Sequence, residues 1–345
     1  MTCPSCGDAT STIGAKFCEA CGHPLTPGEA HACESVEPAG ASDSGAQPSL
    51  CNCPPGASAP DADGYCQNCG IKCVPLAVWA TNPLRFAKAL SSSFGLASDV
   101  GKRHPHNEDF GAIAIGVVDH PVMVVADGVS TSFHSAGASA LAVQTITEGL
   151  LGASTVEEAK TLMASAIDKA DRAIMALPAG DKPSLDPPES TVVAAAVIGD
   201  TAVIGWVGDS RAYLVRNCAG GDTGSMEIPL TRDDSWVEMV VASGEFTLED
   251  ASKDERAHSV TQVLGMRDED MKVHVSTASL AMGDTLILCS DGLWNYFQEP
   301  GSLARKLQEL KSLGFSAVQT CHALVNEANR LGGHDNITVA VLFRP

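Results

Sequence analysis

From about Phe94 onward, apolar residues fall into two patterns: short β-branched runs and longer stretches with helical spacing. Runs at 111–118 and 122–126 flank Asp119-His120-Pro121, and runs at 192–198 and 202–207 flank Gly199-Asp200-Thr201. Two β-rich runs across a short polar turn predict a hairpin. Residues 285–289 and 337–343 predict two further strands. Between the hairpins lie two helical stretches, the first over 135–151. The second opens with a capping box, Ser154-x-x-Glu157, and sets Leu162, Ala166, Ala170 and Ile174 on one face. Helices over 302–313 and 316–330 precede the final strand.

The first quarter of the chain has neither pattern. Ten of the thirteen cysteines lie within residues 1–73. Cys3-x-x-Cys6 and Cys18-x-x-Cys21 are each followed by glycine, so both thiolates of a knuckle can face one ion and the chain can turn tightly. Four thiolates make a closed structural zinc site. Cys51-x-Cys53 and Cys66-x-x-Cys69 predict a second zinc site, with Cys33 and Cys73 as spare ligands. The expected organisation is a zinc ribbon at 1–25, a flexible Pro/Gly/Ala/Ser-rich linker at 26–50 and a second ribbon-like module at 51–73. A connector at 74–93 and one larger domain at 94–345 follow.

Charge and composition narrow the function. The 345 residues carry 42 acidic and 22 basic side chains, a net charge of −20. Phosphate-backbone binding needs clustered Lys and Arg, and residues 1–73 hold two lysines and no arginine, so no nucleic-acid partner is expected. The longest apolar run, 192–198, is seven residues, against the roughly 20 of a membrane helix. No basic segment precedes an apolar stretch at the start. The expectation is a cytoplasmic chain with no membrane partner, whose clustered cysteines bind metal and do not form disulfides.

The acidic side chains then converge. Glu108 and Asp109 precede the first run of hairpin one, and Asp127 follows its second. In an antiparallel pair the start of one strand lies beside the end of the other, so these three are neighbours. The same reasoning sets Thr191 beside Asp209. Asp291 follows the 285–289 strand and Asp335 precedes the 337–343 strand, so antiparallel pairing would join them too. One acid in a turn is an ordinary backbone cap, but six acids at adjoining strand ends need a common reason. Such a cluster repels itself unless cations neutralise it. All-oxygen donors suit Mg²⁺ or Mn²⁺, and a bridging carboxylate with flanking acids suggests two ions about 3.5–4 Å apart.

In order along the chain stand HNEDF (106–110), VVADGVS (124–130), STVVAAA (190–196), GDSRAY (208–213), LTRDDS (230–235), CSDGLWN (289–295) and GGHDNITVAV (332–341). This series resembles the type 2C metal-dependent serine/threonine protein phosphatases of bacteria over about residues 94–345. The resemblance implies an α+β fold, a four-layer α-β-β-α sandwich of two antiparallel sheets with the metal site at one end. It implies that Asp127 bridges two Mn²⁺ or Mg²⁺ ions, with Glu108 and the Gly128 carbonyl on one and Asp291 and Asp335 on the other. Asp109 would hold metal-bound water, Asn336 would orient Asp335, Thr191 would support the site, and Asp209 with Asp291 would take a weaker third ion. A metal-bridging hydroxide would attack phosphorus in line.

The chain departs from the pattern at two places. Where related enzymes carry the arginine that grips substrate phosphate stands His104, with Arg103 beside it; both are phosphate-binding candidates, and Arg103 is favoured. Val129 occupies the place of a histidine general acid. The favoured function is hydrolysis of phosphoserine and phosphothreonine on phosphorylated proteins, opposing a serine/threonine kinase, with the ribbons contacting protein. A pseudophosphatase scaffold or sensor on the same fold is the alternative.

Overall fold

The apolar runs are unbroken because both faces of each central strand are covered. The computed structural model describes residues 84–177, 187–217, 226–257, 259–266 and 271–344; the two cysteine clusters and the 26–50 linker lie outside the described residues. The elements are β1 (Arg85–Ser91), β2 (Phe94–Asp99), β3 (Asp109–Ile115), β4 (Pro121–Asp127), α1 (Ser135–Leu150) and α2 (Val156–Met175). There follow β5 (Val192–Ile198), β6 (Thr201–Val207), β7 (Arg211–Arg216), β8 (Met226–Pro229), α3 (Trp236–Ala242), α4 (Leu248–Ala251) and β9 (His274–Ser279). The chain closes with β10 (Thr285–Cys289), α5 (Asp291–Trp294), α6 (Ser302–Ser312), α7 (Ala317–Leu331) and β11 (Ile337–Phe343).

Two antiparallel sheets form, in the orders β1-β2-β11-β10-β7-β8 and β3-β4-β5-β6-β9. In β4, Val122, Val124 and Ala126 pack with α1 and α2, while Met123 and Val125 pack between the sheets with Leu96, Leu286 and Leu288. In β11, Ile337, Val339 and Val341 meet Leu307, Leu324 and Val325 of α6 and α7, and Ala340 and Leu342 face the other sheet. Helices thus cover the outer face of each sheet. Each buried valine or leucine contributes roughly 1.5–3 kcal/mol, which is what period-two burial on both faces secures for the layers.

Several boundaries differ from the sequence reading. Strand β3 starts at Asp109 and stops at Ile115. Asp119 takes a left-handed φ of 55°, and the Gly116 N–H donates to the His120 carbonyl, so Val117 and Val118 lie in the turn and are exposed despite being apolar. The cap of α2 is one residue later than expected: Thr155 accepts from the Glu158 N–H, and Glu158 accepts in return from the Ser154 N–H. Both Ser-x-x-Glu and Thr-x-x-Glu satisfy the pattern, and only the helix start separates them. Residues 85–91, assigned to the connector, form an edge strand paired with β2, anchored by Phe86 packing on Phe110.

Candidate active site

Register sets Asp109 directly opposite Asp127 at the end of the β3–β4 pair, so both acids are terminal strand residues and not turn residues. The Thr191 N–H, just before β5, donates to the Asp127 carbonyl at 2.8 Å. The Thr191 hydroxyl lies 2.8 Å from Ser210 Oγ, and Gly208, at φ +98°, fits against the Thr191 side chain where a Cβ would clash. Asp209 sits between those two contacts. From the other sheet, β10 and β11 are antiparallel as expected, with Cys289 opposite Val339, so Ser290-Asp291 leaves one strand where Asp335-Asn336 enters the next. Ser290 joins the sheets: its Oγ donates to Asp109 Oδ2 at 2.7 Å and accepts from the Thr338 N–H.

The electrostatics register this convergence. Burial, and then the charges of Asp109, Asp291, Asp335 and Asp209, push the Asp127 carboxyl well above the usual carboxylate range. Burial is also the largest cause at Asp109, pushed up to about 7 against the pull of the Ser290 hydrogen bond, and at Asp291, pushed up to about 7 with help from Asp335 and Asp109. Asp209 is pushed up to about 8 by burial and then by Asp291 and Asp233.

Oδ1 of Asp109 and Oδ1 of Asp291 are buried without a hydrogen-bond partner. A buried acceptor left so costs about 1–3 kcal/mol, more when charged, and a hard cation together with the water it carries satisfies such oxygens at once. The all-oxygen donor set fits Mn²⁺ or Mg²⁺. Among the described residues no three acidic, His or Cys side chains stand ready-placed around one ion.

The remaining expected residues are held by the following contacts. Both Glu108 carboxylate oxygens accept hydroxyl bonds of 2.6 Å, from Ser130 and from Ser135 at the start of α1. The Asn336 side chain holds the 100–108 loop and not the Asp335 carboxylate: its amide donates to the Val100 and His106 carbonyls, and its Oδ1 accepts from the Glu108 N–H. Asp335 Oδ1 accepts instead from the Asn336 backbone N–H at 2.8 Å. Arg103 donates to His334 Nε2 at 2.9 Å, whereas His104 Nε2 stands 3.5 Å from Asp335 Oδ1. Gly128 is locked where any side chain would strike the Ser135 carbonyl, and its N–H donates to the Glu108 carbonyl.

Behind Asp209 lies a clamp that residue spacing does not reveal. The Trp294 indole N–H donates to the Asp209 carbonyl at 2.9 Å, the Arg211 guanidinium lies 3.5 Å over the Trp294 ring, and Asp233 grips Arg211 through Nε and Nη2. All of these residues fall within the quoted motifs, but spacing alone does not show that a β7 arginine stacks on an α5 tryptophan.

Residues 101–326 match the family model described as Protein phosphatase 2C. The chain belongs to the protein phosphatase 2C family. It is a metal-dependent protein serine/threonine phosphatase. The chain is 31% identical over 252 residues to the serine/threonine phosphatase stp of Listeria monocytogenes, covering 72% of this chain and 94% of that relative. Its fold is similar to that of the S. agalactiae serine/threonine phosphatase, with a TM-score of 0.62 and 26% identity over 76% of this chain and all of that one. It is also similar to the catalytic domain of the serine threonine protein phosphatase PstP in complex with 2 manganese ions (TM-score 0.56, 25% identity, 74% and 97% covered).

Proposed function

We propose that the chain hydrolyses phosphoserine and phosphothreonine on proteins, opposing serine/threonine kinases, with Mn²⁺ or Mg²⁺ held by the strand-end carboxylates. The observation that carries this is the convergence of Asp109, Asp209, Asp291 and Asp335 on Asp127. Asp127 would be shared between two ions, with Asp291 and Asp335 completing one, the Gly128 carbonyl and Glu108 the other, and Asp209 a weaker third. When bound, the ions supply Lewis acidity, neutralising phosphoryl charge and acidifying water.

The chain's own groups position and exclude. Ser290 fixes Oδ2 of Asp109 and leaves Oδ1 to accept a hydrogen bond from the attacking water. Thr191 ties the strand end that carries Asp127 to the Asp209 turn. Arg103, against His334, and His104, beside Asp335, offer donors to the phosphoryl oxygens. Val129 gives no proton, so the leaving alkoxide takes one from solvent. A thiolate nucleophile is excluded at Cys289, where burial pushes the thiol up and closes access.

On the sequence reading, Cys3, Cys6, Cys18 and Cys21 hold one structural zinc and Cys51, Cys53, Cys66 and Cys69 another, as protein-contacting modules of a cytoplasmic enzyme. Phosphate release from matched phosphoserine, phosphothreonine and phosphotyrosine peptides tests the substrate class. Release from the first two in Mn²⁺, with little from the third, is expected; a preference for phosphotyrosine contradicts it.

A further inference from the structure

Strand β2 ends at Asp99, and the chain turns there into the loop that carries Arg103, His104 and Glu108. Asp99 is buried, and both its carboxylate oxygens are engaged. Oδ2 lies 2.6 Å from Arg85 Nε in β1, while Oδ1 accepts from the Gly101 N–H at 2.9 Å and from Asn329 Nδ2 of α7 at 3.2 Å. Three elements therefore meet at one carboxylate.

The turn it fixes is pressed against the Asp335 segment. Gly101 has φ +76°, and a Cβ there would collide with the Asp335 carbonyl, so only glycine fits on both counts. The Lys102 N–H donates to the Gly333 carbonyl at 2.8 Å. Val100 is held from both sides: its N–H donates to the Leu84 carbonyl and its carbonyl accepts from Asn336 Nδ2, each at 2.8 Å. Two and three residues beyond Gly101, Arg103 contacts His334 and His104 contacts Asp335.

We propose that Asp99, braced by Arg85, is a positioning residue for substrate phosphate: it sets the turn that presents Arg103 and His104 beside Asp335. The inference rests on the phosphatase reading. Asp99 touches neither substrate nor the carboxylate cluster through its own side chain. Its effect is on preorganisation: a loop already seated loses less freedom when phosphate binds. Phosphate binding should therefore weaken when the brace is loosened, and the chemical step should not.

The test uses the full chain with saturating Mn²⁺ and p-nitrophenyl phosphate. Asp99→Asn keeps the shape but removes the charge and points an amide at Arg85. It should raise KM about three- to tenfold while leaving kcat within about twofold, and raise the inhibition constant of inorganic phosphate by the same factor. Arg85→Ala, whose side chain is 73% exposed, keeps the fold and should shift both constants in the same direction by a smaller factor; Arg85→Lys should restore them.

Unchanged KM and inhibition constant in both variants, or a fall in kcat at constant KM, overturns the proposal. A raised Mn²⁺ requirement with unchanged KM overturns it as well, because the loop would then be serving the ion-binding carboxylates. Should the wild-type chain bind phosphate without hydrolysing esters, the phosphatase reading fails. The dissociation constant of inorganic phosphate, measured by calorimetry, then has to rise in both variants or this role fails with it.

Discussion

Asp109 and Asp127 face each other across the end of one hairpin, paired residue to residue in the register of β3 and β4. Two carboxylates in that relation, Asp109 buried and Asp127 half-buried, repel, and three more acids act on the same point. Replacing Asp127 by asparagine removes one charge from the centre of the group while keeping its shape. After chelation, Asp127→Asn should melt at the same temperature as the wild type or higher at pH 8. Mn²⁺ should raise the Tm of the wild type, since binding to the folded state stabilises it, and that rise should be lost in Asp127→Asn. An equal Mn²⁺-induced rise in both proteins would remove Asp127 from the ion-binding set.

The raised carboxyls also set a pH dependence. Burial, with the neighbouring acids, pushes Asp109 and Asp291 up to about 7 and Asp209 up to about 8 in the folded chain, well above the usual carboxylate range. Because the folded state holds these protons more tightly than the unfolded chain, the stability they contribute is fully present below the unfolded value and is lost as pH rises through 7 and 8. The chelated protein should therefore melt lower at pH 8.5 than at pH 5.5, with saturating Mn²⁺ narrowing the gap. A Tm that rises over the same interval in chelator would contradict the burial of this cluster as ionisable acids.

Much of this arrangement was legible in the sequence where strands are buried on both faces. Strand β5 matches its predicted bounds because its apolar residues are consecutive and bounded by polar ends. Edge strands left no such trace. In β9 only alternate residues are half-buried and the run His-Val-Ser-Thr-Ala-Ser is largely polar, while β1 is almost wholly exposed. The Asp109–Asp127 pairing followed from hairpin geometry alone. The true partners of Glu108 and Asn336 did not, because Ser130, Ser135 and Val100 reach them through tertiary contacts that no local spacing encodes.

The Arg103 and His104 positions give opposite substitutions with opposite signs. Arg103 is engaged by His334, and His104 stands nearer the carboxylates, so a guanidinium at 104 should reach substrate phosphate directly. His104→Arg is expected to lower KM, by an amount worth roughly 1–2 kcal/mol. Arg103→Ala is expected to raise it by less. If KM rises on His104→Arg, the imidazole is itself the better phosphate contact and the assignment reverses.

Truncation separates the catalytic domain from what precedes it. A chain starting at residue 84 retains β1, the Phe86–Phe110 contact and the Arg85–Asp99 pair; a chain starting at 94 loses all three. The shorter chain should melt lower by about 5 °C or more. Metal analysis of the full chain should find about two tightly held zinc ions that both truncated chains lack, and replacing Cys3, Cys6, Cys51 and Cys53 by serine should remove them. Zinc retained by the chain starting at 84 would overturn the cysteine assignment.

The central claim is that carboxylates gathered from the ends of two sheets form a metal-dependent phosphatase centre. Its most direct test is phosphate release from a phosphothreonine peptide by the full chain, measured with Mn²⁺ and with chelator, for the wild type and for Asp127→Asn in parallel. The account predicts turnover by the wild type only in Mn²⁺, and at least about a hundredfold less from Asp127→Asn at the same Mn²⁺ concentration. A wild type that releases no phosphate in Mn²⁺ would contradict the account and leave the fold as a pseudophosphatase scaffold; an Asp127→Asn that matches an active wild type would contradict it by removing Asp127 from the centre.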